Sequence, residues 1–161
     1  MKLDKARIEK LVDRGIERLD TMLAHGTTTV ESKSGYGLTT EDEVKILEAN
    51  RRLNQLHCMS VVSTFMGANV VPLEYRNATE EYVDIVIEEM IPRVAKQTLA
   101  EFCDVFCERG TFSLEQAKRV LAAGKKNGLK PKIHADQMSA LGGAEIAADI
   151  GAISADHLNY S

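Results

Sequence analysis

KPKIHADQ, residues 130–137, and AISADHL, residues 152–158, decide how this chain folds. Each is a short apolar run that closes on a histidine and an aspartate. An alanine-rich stretch over about 142–150 lies between them and reads as a short helix. Strand, helix and strand in so few residues describe a parallel βαβ unit, whose crossover is right-handed.

The same alternation extends toward the N-terminus. CDVFCE, residues 103–108, reads as a strand, followed by a helix that Ser113 and Gln116 cap, with Leu114, Ala117, Leu121 and Gly124 along one side. Before it lies a helix with Val83, Val86, Ile87, Met90 and Val94 on one stripe and Pro92 at a kink near its end. MSVVSTFMG, residues 59–67, and the β-branched TTTVES, residues 27–32, supply two more strands. The helix between these two opens on a capping-box pattern, Thr40 with Glu43, and places Ile46, Ala49, Leu53 and Leu56 on one face. Residues 4–24 carry Ile8, Leu11, Val12, Leu19 and Met22 at helical spacing. The pattern is α(βα)₄β, an α/β fold with a parallel sheet. Either a doubly wound sheet or a (β/α) barrel accommodates it. It begins with a helix and ends on an uncovered strand, so residues 1–161 look cut from a longer βα series, truncated at both ends. Its outer strands are expected to be bare edges unless another chain or segment pairs with them.

Composition narrows the function. The 161 residues suit one domain, with 44% hydrophobic and 27% charged residues. A net charge of −4 and a pI near 5.6, without a basic cluster, argue against nucleic acid as a partner. No apolar run approaches the roughly 18 to 20 residues that cross a bilayer, so no membrane partner is expected. The charged start, MKLDKARIEKLVDRG, is no signal peptide. Cys58, Cys103 and Cys107 lack a metal-finger spacing and read as reduced thiols of a cytoplasmic protein.

In parallel α/β folds, chemistry gathers where strands end. His134 with Asp136, Asp156 with His157, Glu108, Asn69 and the Lys33–Gly37 segment all fall on that rim, whereas His25 and His57 precede strands and fall on the other. Two imidazoles on adjacent strand ends suit a divalent zinc or iron ion, which holds a water, lowers its pKa and makes it a nucleophile. A second histidine, not a ligand, would move protons. Hydrogen-bonded rim histidines explain the same pattern, and two ligands without a third make a poor site. SGYGL, residues 34–38, is either a turn needing positive φ or a loop aiming the Tyr36 hydroxyl at a substrate. Glu108 is either a buried acid near the metal or a solvated strand end. Cys103 and Cys107 read as small core residues.

HGTTTVESKSGYGL, TFMGANVVPLEY, FCDVFCERGTFS, KIHADQMSALGGAE and GAISADHL together resemble imidazolonepropionase, a family of metal-dependent amidohydrolases of histidine degradation. The resemblance runs from about residue 20 to the end. It implies a TIM-type (β/α)₈ barrel in which these strands are about the second to the sixth. It implies hydrolysis of 4-imidazolone-5-propanoate to N-formimidoyl-L-glutamate with one divalent metal, zinc or iron. It implies that His134 is a metal ligand, that His157 is a proton shuttle, and that Tyr36 binds substrate. Two positions depart from the family pattern. Asn69 stands where histidine is usual, as a substrate contact. Gln137 stands where glutamate is common, as a substrate contact and acid/base group. Neither exchanges protons at neutral pH. The family's His-x-His pair and its eighth-strand aspartate are absent from this sequence.

The expected function is therefore metal-dependent hydrolysis of a cyclic amide C–N bond, competent only in a complete barrel. The alternatives are another amidohydrolase or deaminase with a different cyclic substrate, or a non-catalytic α/β ligand-binding domain. The expected partners are a small-molecule substrate and either a second copy of the chain, as a homo-oligomer, or the remainder of the same barrel.

Overall fold

Five strands pair in sequence order and all run parallel: β1 (Thr29–Lys33), β2 (Ser60–Ala68), β3 (Phe102–Cys107), β4 (Lys130–Ala135) and β5 (Ser154–His157). They come from a computed structural model that describes residues 7–161; positions 4–6 of the expected first helix lie outside the described residues. The helices are α1 (Ile8–Ala24), α2 (Thr40–Leu56), α3 (Thr79–Ile85), α4 (Ile91–Lys96), α5 (Leu114–Lys126) and α6 (Gly143–Ile150). A doubly wound sheet reverses its strand order at a switch point. This sheet does not, which leaves the barrel-type alternative.

Alternation along the strands separates two environments. On the helix side, Phe65, Cys103, Val105, Cys107, Ile133 and Ala135 pack against Val83, Val86, Met90, Val94, Ala117, Val120 and Leu121 of the helices. Gly124 of α5 lets that helix close on β3, since a Cβ there would lie 2.7 Å from the Cys103 Cβ. A smaller cluster, Val12, Leu19, Ala49, Leu53, Met59 and Val61, joins α1 and α2 to the start of the sheet. Cys103 and Cys107 are buried, as their strand positions suggested, and Cys58 is exposed.

Two helix expectations need correction. The N-cap of α2 is Thr39, whose hydroxyl accepts from the Asp42 amide, not Thr40; the Glu43 side chain is engaged elsewhere. Leu56, expected on the apolar face of α2, is exposed, and Val44 and Leu47 take its place inward. The capping box of Ser113 and Gln116 is present on α5. Around Pro92 the chain widens into a π-helical turn, Val86–Met90, between α3 and α4. Proline has no N–H for the carbonyl four residues back and its ring crowds that carbonyl, so the backbone relaxes by lengthening the turn. Among the described residues, no helix is long and apolar enough to cross a membrane.

The other face of the sheet is concave and charged. In a lower layer, Glu31 accepts from Thr64 Oγ1 at 2.5 Å and from Lys132 Nζ at 2.8 Å. In the layer above, Lys33 of β1 donates to Asp104 of β3 at 2.7 Å and to Asp156 of β5 at 2.9 Å. A flat sheet spaces strands by about 4.8 Å, which would put β1 and β5 about 19 Å apart, far beyond the reach of one lysine and one aspartate. The sheet is therefore curled, as part of a barrel wall is.

Lys33 is the cation that makes Asp104, whose side chain is fully buried, tolerable. Replacing Lys33 by Met is expected to cost about 3 kcal/mol, because a buried carboxylate is left without its cation, with only His134 to donate to it. The double replacement Lys33→Met, Asp104→Leu should recover part of the loss. Urea denaturation of the three proteins measures both.

Candidate functional site

The C-terminal rim of the curled sheet holds a cavity of about 430 Å³ lined by Tyr36, Asn69, Val70, Val71, Phe106, Gly110, Thr111, His134 and Gln137. Four of the five residues expected at the site meet here. The fifth, His157, does not line the cavity, but its ring centroid is 5.3 Å from that of His134.

Each side chain arrives by a local device. Asn69 depends on an irregularity in β2. The β2–β3 register runs Phe65↔Cys103 and then Ala68↔Val105, so β2 carries one extra residue. Bulges of this kind re-aim side chains next to sites. Gly67 sits within it, where a Cβ would lie 2.5 Å from the Phe65 ring, and its carbonyl accepts from the Tyr82 hydroxyl at 2.9 Å. Beyond the bulge Asn69 turns to the cavity, and its Nδ2 donates to the Gly35 carbonyl at 3.2 Å. Its Oδ1 remains as an acceptor.

His134 lies on the concave face of β4. Its Nδ1 is 3.1 Å from Asp104 Oδ1. A carboxylate accepts, so Nδ1 carries a proton and donates it to Asp104. Nε2 lies 3.8 Å from Asp156 Oδ2. His157 follows Asp156 with φ at 77° and Leu158 at 56°; these left-handed residues turn the end of β5 and bring the His157 ring to its neighbour.

Three acidic side chains secure the rim loops. Glu43, fully buried, accepts from the amides of Gly35 at 2.8 Å and Gly37 at 2.5 Å. Burial raises its pKa against the pull of the Ser34 hydroxyl and the loop amides. Asp136, φ 50°, accepts from the amides of Leu141, Gly142, Gly143 and Ala144 and so caps α6 from below. It is a structural anchor, not a rim acid facing the cavity. Glu108 accepts from the amides of Met138 and Arg109 and from the Ser139 hydroxyl, which settles its role as the anchor of the loop that carries Gln137. Burial works against its charge, but these donors, with the Gln137 amide, outweigh it and hold the pKa at about 2.

Asp104, His134 and Asp156 each bring one ligand atom within 4.8 Å of the others. Their commitments differ. Both oxygens of Asp104 are taken, one by Lys33 and one by His134. Asp156 shares Oδ2 with Lys33, and although burial opposes its charge, the hydrogen bond and charge of Lys33 keep its pKa below the usual carboxylate range. Asp156 Oδ1 accepts from the Ser154 hydroxyl at 3.3 Å, whereas His134 Nε2 has no hydrogen-bond partner among the described residues. An imidazole with Nδ1 pinned by a carboxylate and Nε2 open is the arrangement that a metal-ligating histidine requires. A divalent ion thus fits His134, with Asp104 behind it as the group that orients the ring. Sequence reading missed Asp104 and Glu43. Asp104 shows only as a charged residue in an apolar strand, CDVFC, where a buried partner is implied.

Comparison with known proteins places the chain among named relatives. It is 58% identical over 150 residues, 93% of its length, to the imidazolonepropionase of Brevibacillus brevis. It is 55% identical over 154 residues to the imidazolonepropionase of Alkaliphilus metalliredigens, and 56% over 154 residues to that of Geobacillus kaustophilus. It spans 35% of the length of the first and 36% of the other two. No family model matches the chain.

The depressed pKa of Glu108 sets a test of the loop anchor. Its contribution is fully present above the ordinary carboxyl value of 4.5 and is lost as pH falls toward about 2. Glu108→Gln is expected to lower stability at pH 7 and to flatten the acid limb between those values. Denaturant titrations at a series of pH values show whether the slope changes; an unaltered slope would remove the anchor from the account.

Proposed function

We propose, for a chain that carries imidazolonepropionase-family sequence along 93% of its length, that the rim cavity is part of a metal-dependent site hydrolysing the ring C–N bond of 4-imidazolone-5-propanoate to give N-formimidoyl-L-glutamate, in histidine degradation. The observation that carries the reading is His134, with Nδ1 held by Asp104 and Nε2 open beside a cavity. His134 is the metal ligand these residues offer. A zinc or iron ion bound there would supply Lewis acidity and a nucleophile at neutral pH.

The side chains around it divide the remaining work. The Tyr36 hydroxyl and the Asn69 Oδ1 hydrogen-bond the polar ring and orient it. Gln137 does the same from the opposite loop, without exchanging protons. His157, beside His134, is the group that shuttles the proton. Lys33 and Asp104 touch no substrate; they keep the imidazole of His134 in one orientation and tautomer.

One nitrogen ligand does not hold a catalytic ion. The other ligands are to come from sequence outside these residues, in a complete cytoplasmic enzyme; the chain spans 35% of the length of the Brevibacillus relative. Asn69 and Gln137 favour one further reading, a related hydrolase or deaminase of another cyclic substrate, because two amides replace groups that titrate.

The purified 161-residue chain, supplied with zinc or iron, is expected to show no turnover of the imidazolone. Turnover that a chelator abolishes would overturn the incomplete-site reading. In the complete enzyme, His134→Ala should lower metal content and activity together, so full occupancy in that variant would refute the ligand role. Tyr36→Phe should weaken binding by about 0.5 to 1.5 kcal/mol, the value of a neutral hydrogen bond, seen in KM more than kcat. Asn69→His should preserve or raise kcat/KM for the imidazolone; a fall would point to the other cyclic substrate.

A further inference from the structure

We propose that Glu43 is the positioning residue for Tyr36: its buried carboxylate grips the backbone on both sides of the tyrosine and fixes the direction in which the ring leaves the loop. The inference rests on the reading of Tyr36 as a substrate-binding residue and goes beyond it.

Glu43 lies in the first turn of α2, with no exposed surface. Among the described residues no cation pairs with it. Instead Oε2 accepts from Gly35 N at 2.8 Å, and Oε1 accepts from Gly35 N at 3.1 Å, Gly37 N at 2.5 Å and Leu38 N at 3.3 Å. The Tyr36 amide lies between these donors and is not among them. Charge-assisted bonds of this type are about twice as strong as neutral ones. Gly37 closes on the helix so tightly that a Cβ would lie 2.5 Å from Glu43 N. Gly35 holds φ at 120°, with its would-be Cβ 2.8 Å from the Met66 carbonyl. Both residues flanking Tyr36 are thus immobilised through their backbones, one against α2 and one against β2.

Tyr36 is 74% exposed, so side-chain packing does not set its position. Among the described residues, backbone anchoring is the constraint that acts on it. It leaves the whole ring and hydroxyl free to meet a ligand while the Cα–Cβ direction stays constant. The arrangement also couples the tyrosine to Asn69, because the Gly35 carbonyl that the clamp orients is the acceptor for Asn69 Nδ2. One carboxylate therefore sets two of the cavity's polar groups.

Amide exchange and ¹⁵N relaxation on the isolated chain test this without substrate. In the unmodified chain the Gly35 and Gly37 amides are expected to exchange about tenfold to a hundredfold more slowly than the Tyr36 amide, as bonds to a charged acceptor imply. Backbone order at Tyr36 should sit near about 0.85. In Glu43→Gln the two glycine amides should lose protection and Tyr36 order should fall below about 0.6, while the Val44 and Leu47 amides of α2 stay protected. Glu43→Asp, charged but one methylene short, should behave like Gln. Unprotected glycine amides in the unmodified chain would overturn the proposal, and this holds even if the variants fail to fold. So would an unchanged Tyr36 in a folded Glu43→Gln. In the complete enzyme Glu43→Gln should raise KM about as much as Tyr36→Phe, with little further effect when combined. If Tyr36→Phe leaves KM unchanged while the exchange results hold, the substrate-binding reading fails and the clamp stands.

Discussion

One lysine sets the shape of the inner face. Lys33 reaches from the first strand to the third and the fifth, and only a curled sheet permits both contacts. The reach also answers an electrostatic need. Asp104 has no exposed surface, and an isolated carboxylate there would carry a large desolvation penalty. With Lys33 on one oxygen and His134 on the other, both oxygens are partnered and the imidazole has one orientation. Curvature, charge balance and the direction of the candidate ligand are consequences of the same contact.

A second rule governs the rim. Besides apolar contacts from Val71 and Leu141, its loops are tied by carboxylates to backbone amides. Glu43 holds the loop of Tyr36, Glu108 holds the loop of Gln137, and Asp136 holds the entry to α6. Acidic side chains, which a reader of sequence associates with acid/base chemistry, serve here as fasteners. The groups that face the cavity are neutral or weakly basic: a phenol, two amides and an imidazole.

That division explains what was legible beforehand. Strands and helices follow from periodicity, so β3, β4 and the stripe Val83–Val86–Met90–Val94 could be read directly. The rim position of His134, Asn69 and Tyr36 followed from strand ends alone, whereas Gln137 was named only through the family resemblance. Three features did not follow. The bulge in β2 leaves only Gly67 as its trace in the sequence, and a strand glycine has several explanations. Glu43 matched a capping box one residue out of place, because its spacing to a threonine is the same whether its side chain bonds the helix end or a loop. Asp104 is visible as a charge in an apolar strand, but its partner lies 71 residues away in Lys33, and such pairings are set by sheet curvature, not by local pattern.

The thiols carry a practical consequence. Burial raises Cys103 far out of reach of ordinary titration and pushes Cys107 up to about 11, so neither forms a thiolate at neutral pH. Cys58, exposed between α2 and β2, lies at the end of the sheet away from the cavity. Alkylating dyes should therefore attach at one place, and the chain has no tryptophan to compete with their signal. Nature has left a single chemical handle on the quiet side of the molecule, from which a fluorophore can watch the rim without touching it.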